Sequence, residues 1–536
     1  MRKAHIFDFL PSKGINTGRL WPFDQNKIYI LENNGLTNGV KIYIIAEEKI
    51  KKCRRGQKMS AVIAAVNTAL GFVYDNILSI AMMVLLIAVG IFLSIKTGLF
   101  QFRRFGYVMK STVGSLFDKN QHAKDKNSVS PFQAVTTALA GTIGTGSIAG
   151  LATALVLGGP GAVFWMWISA LVGMITKYSE IVLAIKYRER DASGAWRGGP
   201  MYYIKNGLGL KWLAVLFAVF AMIACIGTGN ATQSNSIAGV LESNFKVAPW
   251  ITGIVLTVLV GAVIIGGVKR IASVNEKLVP VMAVFFILAS IVALIFNAER
   301  IPAAFGLIFR EAFNFKAAFG GVAGYGILSA MRYGIGRGVF SNEAGLGSAP
   351  IAHSASSTND PVKQGMWGVF EVFITTIVIC TMSALVVLTS GIYSDAFNAG
   401  AAPSVSGAAL SSAAFNEALP YVGGIGIAIA TVFFALSTIL GWAYYGETCA
   451  SYLFKNHAKA AVWVYRIVYV AFVFIGAIAR IDIVWLVADC FNALMAVPNL
   501  IALIALSGVV VSATKEHLAS RKSLGLKDSA KVSEEE

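Results

Sequence analysis

Long apolar stretches alternate with short polar segments along most of this chain. Examples are the runs 77–95, 212–227 and 279–296, which read ILSIAMMVLLIAVGIFLSI, WLAVLFAVFAMIACIG and VPVMAVFFILASIVALIF. A helix of about twenty apolar residues crosses the hydrocarbon core of a bilayer, which is roughly 30 Å thick. The pattern therefore predicts an all-α polytopic membrane protein with about eleven transmembrane helices. The predicted spans lie near residues 75–99, 132–158, 161–187, 212–230, 250–268, 275–297, 317–340, 364–391, 422–453, 461–478 and 481–511.

The basic residues between the spans predict an orientation. The segments 101–128, 186–211, 268–277, 454–459 and 514–527 are net basic, whereas the loop 391–420 contains no Lys or Arg. Cytoplasmic loops of membrane proteins carry an excess of Lys and Arg, and the basic segments follow alternate spans. We therefore expect a multi-pass protein of a bacterial-type cytoplasmic membrane, with its amino terminus outside and its carboxyl terminus in the cytoplasm.

Composition supports the membrane class and excludes several others. The chain is 56% hydrophobic and 14% charged, with a mean hydropathy of +0.67, whereas about a quarter of the residues of a soluble domain are charged. The net charge of +17 is distributed over the loops, so it favours cytoplasmic loops over a nucleic-acid partner. The 5 cysteines show no paired or metal-ligand spacing. No soluble ligand-binding domain, ATP-binding motif or catalytic constellation is present, so an enzyme is not expected and no organic cofactor is needed.

Residues 1–58 do not fit this orientation. They contain the basic cluster KIKKCRRGQK at 49–58, which would lie outside, and no signal-peptide pattern. Met59 begins a sequence that is typical of a natural start. We expect residues 1–58 to be a non-native or disordered extension; a genuine amino-terminal appendage is the alternative.

The second predicted span contains an unusual polar stretch, AGTIGTGSIAG at 140–150. Gly permits close approach and non-helical backbone, and irregular backbone at membrane depth survives only where protein or a water-filled cavity surrounds it. A break exposes N–H groups that attract a carboxylate and carbonyl groups that attract a cation, as in secondary transporters. Close helix–helix packing through small residues is the alternative.

A second Gly-rich helix start occurs in the other half of the chain. The span near 317–340 begins with AAFGGVAGYG, and the ten spans after the first divide into two groups of five. Paired interrupted helices at corresponding positions indicate an inverted-repeat transporter. The predicted division is an extra transmembrane helix and cytoplasmic loop at 59–130, a first five-helix repeat at 131–300, a second at 301–512, and a cytoplasmic tail at 513–536.

Several sequence blocks resemble those of one transporter family. GGPGAVFWMWISALVG, GTGSIAGLATAL, GMITKYSEIVLAIKYR, GGPMYYIKNGLG, KRIASVNEKLVPVMA and RGVFSNEAGLGSAPIAHSAS resemble blocks of the alanine or glycine:cation symporters, in the same order. This resemblance implies a LeuT-like fold with discontinuous first and sixth core helices and one additional amino-terminal helix. It implies symport of small neutral amino acids, alanine or glycine, with sodium as the coupling ion. Proton coupling and a preference for glutamine are alternatives within the family.

The resemblance also implies residue roles. Backbone N–H groups of Thr145 and Gly146 would receive the substrate carboxylate, and oxygens on two helices would hold sodium. An amide such as Gln233 would contact the substrate or an ion; a capped helix end is the alternative for it and for its neighbours Asn230 and Asn235. The candidate substrate residues are Thr142, Gly144, Thr145, Gly146, Gln233, Gly320 and Gly324. The candidate sodium ligands are Ala140, Ile143, Phe434, Ser437 and Thr438.

Further expectations concern charged residues and departures from the family pattern. Lys177 and Glu180 can pair on one helix, and Glu447 is expected to pair with Arg332 or Arg337. Ser147 follows the break where many relatives have Asn, so a second sodium site is not assured. Glu371 is the carboxylate to test for proton coupling. The sequence leaves open the preferred amino acid, its stereochemistry, the stoichiometry and the oligomeric state; a channel or an intramembrane enzyme is a remote alternative.

Overall fold

A computed structural model describes residues 74–117, 128–314, 325–479 and 481–523, together with residues 68, 71 and 72 and three strands near the amino terminus. These strands, β1 (Leu20–Phe23), β2 (Ile28–Leu31) and β3 (Tyr43–Ala46), form an antiparallel sheet in the order β1-β2-β3. They belong to a separate compact unit at residues 1–71. The remainder of the predicted extension at 1–58 lies outside the described residues.

The second compact unit, residues 72–536, is almost entirely helical over its described part. In its first half the helices are α1 Ser79–Lys96, α2 Phe100–Arg103, α3 Phe105–Thr112, α4 Pro131–Thr142, α5 Ala149–Gly158, α6 Ala162–Lys186, α7 Pro200–Leu208, α8 Lys211–Ile226, α9 Thr232–Phe245, α10 Pro249–Ile264 and α11 Gly267–Phe296. In its second half they are α12 Ile301–Ala312, α13 Tyr325–Asn342, α14 Ala349–His353, α15 Pro361–Val372, α16 Thr381–Thr389, α17 Gly391–Asn398, α18 Gly407–Ala418, α19 Gly423–Leu453, α20 Ala458–Ile478, α21 Ile481–Ala505 and α22 Ser507–Ser523. A short hairpin of β4 (Glu189–Arg190) and β5 (Trp196–Arg197) follows α6.

Short irregular turns connect or interrupt several of these helices. The π-helical turns are Tyr74–Leu78, Gly227–Ala231 and Phe373–Cys380, and the 3₁₀ turns are Val113–Phe117, Thr145–Ser147, Ala298–Arg300 and Lys455–His457. π-helical turns inside helices often mark functional positions. Here Gly227–Ala231 joins α8 to α9, and Phe373–Cys380 joins α15 to α16, so each pair forms one long membrane helix.

The described helices agree with the predicted membrane spans. Among the described residues, 8 helices are long and apolar enough to cross a membrane, or up to 9 with one bent pair. That pair is α4 with Thr145–Gly158, and α10 is a shorter apolar helix. Helix α13 corresponds to the span predicted near 317–340, whose first residues lie outside the described part. The predicted end of the fourth span at residue 230 was wrong, because the helix continues to Phe245.

The continuation beyond residue 230 has a clear physical basis. Polar side chains in this part of the helix bond to backbone carbonyls of α20 and of the residue after it. Asn230 Nδ2 donates to the carbonyl oxygen of Tyr469 at 2.6 Å, and Asn235 Nδ2 donates to those of Gly476 and Ala479 at 3.0 and 2.8 Å. Polar groups that find such partners can be buried in a membrane protein at modest cost. The two asparagines therefore join helices, which does not support the alternative of a capped helix end at this point.

The burial pattern separates inner from peripheral helices. Helix α6 is 83% buried over its apolar window, whereas α11 is 28% buried and exposes Val281, Ile295 and Phe296. Helix α19 is also largely buried and packs against α4, α8, α9, α11, α18 and α20. Exposed aliphatic faces on long helices are typical of contact with lipid. Helices α6 and α19 thus lie in the interior, beside the broken helix.

We predict that Asp360 stabilises the start of α15 and its contact with α22. Its carboxylate accepts from the backbone N–H groups of Val362 and Lys363, and lies 2.9 Å from His517 Nδ1. Burial opposes ionisation, but the hydrogen bonds from His517 and the Lys363 N–H prevail and lower the pKa of Asp360. Replacing it by Ala should reduce the free energy of unfolding by about 1 kcal/mol at pH 7.

Thermal unfolding of the detergent-solubilised protein measures this effect. A carboxylate with a lowered pKa stabilises the fold above its unfolded-state pKa, near the ordinary value of 3.8, and loses that effect as pH falls through its lower folded-state pKa. The difference between wild type and Asp360→Ala should therefore shrink under strong acid. The variant Asp360→Asn keeps an acceptor for the N–H groups and should fall between the two. An equal difference at all pH values would contradict this role.

Candidate functional site

The second membrane span is broken at the predicted position. Helix α4 ends at Thr142, one 3₁₀ turn occupies Thr145–Ser147, and α5 begins at Ala149 after a bend of 51°. Gly144 has extended backbone (φ −105°, ψ −162°), which interrupts the helical hydrogen bonds. All residues from Gly141 to Gly150 are buried. The free backbone groups of this break are therefore enclosed by protein, as irregular backbone at membrane depth requires.

The structure brings four of the five predicted sodium ligands together. Thr438 Oγ1 lies 2.7 Å from the carbonyl oxygen of Ala140 and 2.9 Å from that of Phe434, and Ser437 Oγ lies 2.9 Å from the same Phe434 oxygen. Helix α19 supplies the hydroxyls, and the end of α4 supplies the Ala140 carbonyl. Ile143, the fifth, is buried in the break. Carbonyl and hydroxyl oxygens are the ligands that a hard monovalent cation prefers.

Gln233 lies directly against the break. Its Oε1 accepts from the Thr145 hydroxyl at 2.9 Å and from the Thr145 backbone N–H at 3.3 Å. Its Nε2 donates to the Thr228 carbonyl oxygen at 3.0 Å. The amide oxygen thus occupies the acceptor position that was predicted for a substrate carboxylate. This contact shows that the Thr145 N–H bonds to a side chain outside its own helix, here the Gln233 amide.

The other predicted substrate residues divide into three groups. Gly146 lies against Phe340, because a Cβ added there would be 2.8 Å from the Phe340 ring. Thr142 donates to the carbonyl oxygens of Ala138 and Leu139, so its hydroxyl bonds within its own helix. Gly320 and Gly324 lie outside the described residues, and the predicted break of the sixth core helix with them.

Ser147 faces a polar pair on neighbouring helices. Its Oγ lies 3.1 Å from Ser341 Oγ, and Ser341 Oγ lies 3.2 Å from Cys380 Sγ. All three residues are buried. Ser147 therefore contacts α13 directly through Ser341, and Ser341 connects it to the π-helical turn Phe373–Cys380.

A buried ion cluster replaces the predicted pair of Lys177 and Glu180. Lys177 Nζ lies 2.8 Å from Glu371 Oε2 and donates to the Asn342 carbonyl oxygen at 2.9 Å, while His353 Nε2 lies 2.7 Å from Glu371 Oε1. Glu180 instead accepts from the Asn499 amide and the Gly347 N–H. The prediction was wrong because both side chains are fully buried, so each finds its partner on another helix.

The prediction for Glu447 was also wrong. Its carboxylate accepts from Arg466 at 2.7 and 2.8 Å, and Arg337 donates to both oxygens of Asp489 at 3.3 and 3.1 Å. Arg337 also stacks over Trp485, with 4.6 Å between the guanidinium carbon and the ring centroid. Asp489 was missed, although a carboxylate inside a predicted span is itself a signal of function.

Arg337, which pairs with Asp489, borders a cavity of about 360 Å³. This cavity is lined by Ala149 of α5, Asn235 of α9, Arg337, Trp485 and the segment 406–409 of the predicted external loop. Phe340 packs on Trp485 with 4.9 Å between ring centroids and also contacts Gly146. The aromatic pair therefore links the cavity to the broken helix at Gly146.

A buried, interrupted helix that lies beside the carbonyl and hydroxyl oxygens around Thr438 and near a cavity is characteristic of a secondary transporter. The fold agrees with this class: MhsT, solved in complex with L-phenylalanine, aligns with a TM-score of 0.51 at 13% identity, over 71% of this chain and 89% of that one. Such a likeness shows the fold alone, which is of the LeuT type.

The sequence identifies the family within that class. The profile of the sodium:alanine symporter family matches residues 62–531, so this chain belongs to that family. The "Sodium/alanine symporter AgcS" of Methanococcus maripaludis is 48% identical, over 86% of this chain and 98% of its own. The "Probable sodium/glutamine symporter GlnT" of Bacillus subtilis is 38% identical, over 84% and 91% respectively. The chain is therefore a transporter and not an enzyme.

We predict that Gly144→Ala abolishes transport. An added Cβ would lie 2.6 Å from Thr438 Oγ1 and 3.4 Å from Gln233 Oε1, so it would displace the hydroxyl from the Ala140 carbonyl. Gly150→Ala is the matched control, because the nearest atom to its Cβ would be Arg337 Cδ at 3.8 Å. Alanine uptake into proteoliposomes should be lost in the first variant and kept in the second. Equal activity of the two would exclude a tight fit at Gly144.

We also predict that Arg337→Gln lowers alanine uptake by about tenfold or more, because it removes the charge and the two-point contact that Arg337 makes with the partly buried Asp489 carboxylate. Arg337→Lys keeps the charge but not the two-point contact and should be intermediate. Arg310→Gln is the control: Arg310 pairs with Glu311, but its side chain is 69% exposed, so uptake should stay unchanged. Normal uptake in Arg337→Gln would contradict a functional ion pair.

Proposed function

We propose that this protein couples the entry of a small neutral amino acid, alanine or glycine, to sodium entry by alternating access. The observation that carries the proposal is the contact of Thr438 with the Ala140 carbonyl. It joins α19 to the broken end of α4 at the point where a cation would neutralise the helix carbonyls. The sodium-linked names of the relatives support the same coupling ion.

In this proposal sodium binds among the oxygens of Ala140, Ile143, Phe434, Ser437 and Thr438. The single Thr438 hydroxyl hydrogen now lies between two carbonyl oxygens, those of Ala140 and Phe434, and sodium would take its place between them. Ser437 bonds within its own helix and reaches Met282 Sδ at 3.5 Å. Thr438 is therefore the more important hydroxyl, because only it crosses between the two helices.

The substrate carboxylate would bind at the N–H groups of Thr145 and Gly146. Gln233 would then lose its hydrogen bonds to Thr145 and turn towards the substrate. Its conformation would therefore change when substrate binds. Contact of Gly146 with Phe340 leaves little room on that side of the break. Such a narrow site favours alanine or glycine over glutamine.

Proton coupling through Glu371 is less well supported. This carboxylate faces Lys177 and His353 at 2.8 and 2.7 Å, and all three side chains are fully buried. Breaking such a buried pair is strongly unfavourable, commonly by about 3–5 kcal/mol. Glu371 is better suited to hold α6 and α15 together than to exchange a proton in each cycle.

We further propose the orientation that the basic loops favour, with the amino terminus outside and the carboxyl terminus in the cytoplasm. The cavity beside Arg337 would then face the outside, because segment 406–409 belongs to the loop that lacks Lys and Arg. Substrate and sodium would enter through it.

The test is uptake of labelled L-alanine by proteoliposomes under separate inward gradients of sodium, potassium and protons. We predict that Thr438→Ala raises the half-saturating sodium concentration by about tenfold, the loss expected for one oxygen contact to a cation. Thr438→Ser should restore most of the affinity, and Ser437→Ala should have the smaller effect. Unlabelled glycine should compete strongly and glutamine weakly.

Other outcomes would change the proposal. Uptake driven by protons without sodium would overturn the sodium assignment and return attention to Glu371. Stronger competition by glutamine than by glycine would make this a glutamine carrier. An unchanged sodium dependence in Thr438→Ala would place the ion elsewhere.

A further inference from the structure

Glu343 is a buried carboxylate that has no ion-pair partner among the described residues. It is 1% exposed, whereas the carboxylates of Glu371, Glu447 and Asp489 each face a basic side chain. Its Oε1 accepts from the Trp442 indole N–H at 2.7 Å and its Oε2 from the Ser348 hydroxyl at 2.5 Å. A carboxylate can accept about four hydrogen bonds, so unused lone pairs remain.

The position of Glu343 places these lone pairs beside the break. A Cβ added to Gly141 would lie 3.1 Å from Glu343 Oε1 and 2.8 Å from the Tyr445 hydroxyl oxygen. Gly141 is the residue after Ala140, whose carbonyl faces Thr438. The Tyr445 hydroxyl is buried and has no hydrogen-bond partner among the described residues. An unpartnered hydroxyl and an unpaired carboxylate thus meet at the same glycine.

Helix geometry places Tyr445, and the Trp442 that binds Glu343, on the same side of α19 as Thr438. Residues three, four and seven apart share one face of a helix, so Thr438, Trp442 and Tyr445 line the same side of α19. Because residue 141 is a glycine, no side chain at this position covers the Glu343 and Tyr445 oxygens. A side chain there would collide with both of them. Tyr445, and Trp442 that donates to Glu343, lie on the same face of α19 as Thr438.

The backbone of Glu343 is held in an unfavourable conformation. Its φ is +57°, a left-handed conformation that non-glycine residues adopt at an energetic cost, commonly at functional sites. The preceding residue is fixed on three sides: Lys177 donates to the Asn342 carbonyl, Asn342 Nδ2 donates to Thr376, and its Oδ1 accepts from the Ala344 N–H. The ion cluster therefore holds the Glu343 carboxylate in its place against Gly141.

We propose that Glu343 and Tyr445 form a second, transient binding site for the coupling sodium ion, on its route away from Thr438. The carboxylate supplies the negative charge that the Thr438 site lacks, and the phenolic oxygen supplies a second hard ligand. A neighbouring anion makes departure of sodium from Thr438 easier without weakening binding there. This inference rests on the proposed sodium symport.

The test separates release of sodium from its binding. Net alanine uptake into sodium-free vesicles requires sodium to leave the protein, whereas alanine exchange with equal sodium on both sides does not. We expect Glu343→Gln to lower net uptake about tenfold or more, as loss of a charged ligand implies, while exchange stays within about twofold of wild type. Glu343→Asp should recover part of the net rate. Tyr445→Phe, which keeps the ring, should show the same pattern more weakly.

Glu180→Gln is the matched control, since Glu180 is also a buried carboxylate outside any ion pair in the described structure but bonds to Asn499 and the Gly347 N–H. Its ratio of net uptake to exchange should equal that of wild type. Equal losses of uptake and exchange in Glu343→Gln would assign the residue a structural role, and unchanged net uptake would also overturn the proposal. Failure of sodium symport itself would be visible first in wild type, as alanine uptake that does not respond to sodium.

Discussion

The free backbone groups between Thr142 and Ala149 impose the constraint on which the rest of the structure depends. A peptide group that loses its helical partner inside a membrane must find another within the protein. The Thr438 hydroxyl meets the Ala140 carbonyl, and the Gln233 amide meets the Thr145 N–H. Helices α9 and α19 must therefore lie beside the break, and these two contacts lie where we propose that a cation and a carboxylate bind.

Buried charges provide the second level of organisation. Lys177, Glu371 and His353 are fully buried, and their mutual contacts join α6, α14 and α15 around the end of α13. Removing one member of such a cluster would leave an uncompensated charge, so the cluster strongly favours one arrangement of these helices. That arrangement sets the strained backbone of Glu343, and through it the carboxylate that faces Gly141. The polar network and the broken helix are thus parts of one structure, and the proposed ion sites would share their residues with helix packing.

Much of the fold and part of the site could be predicted without the structure. The length of the apolar runs predicted the membrane helices, and the Gly-rich stretch at 140–150 predicted the break, because each is a local property of the chain. The LeuT-like plan indicated Thr438 and the cost of an amide in the membrane indicated Gln233, and the structure places both at the break. The ion pairs were predicted less well. Lys177 with Glu371, Glu447 with Arg466 and Arg337 with Asp489 connect residues far apart in sequence, and spacing along one helix contains no information about such partners.

By itself the sequence determined the membrane class, the approximate spans, the interruption of the second span and the family. These follow from hydrophobic length, backbone freedom at glycine and motif order, all of which are read along the chain. The tertiary structure alone decided which buried charge faces which, that Gln233 bonds to Thr145, and that Glu343 lies against Gly141 without a basic partner. The physical reason is that a buried polar group is satisfied by whatever lies next to it in space, and in a bundle of long helices that neighbour is usually far away in sequence.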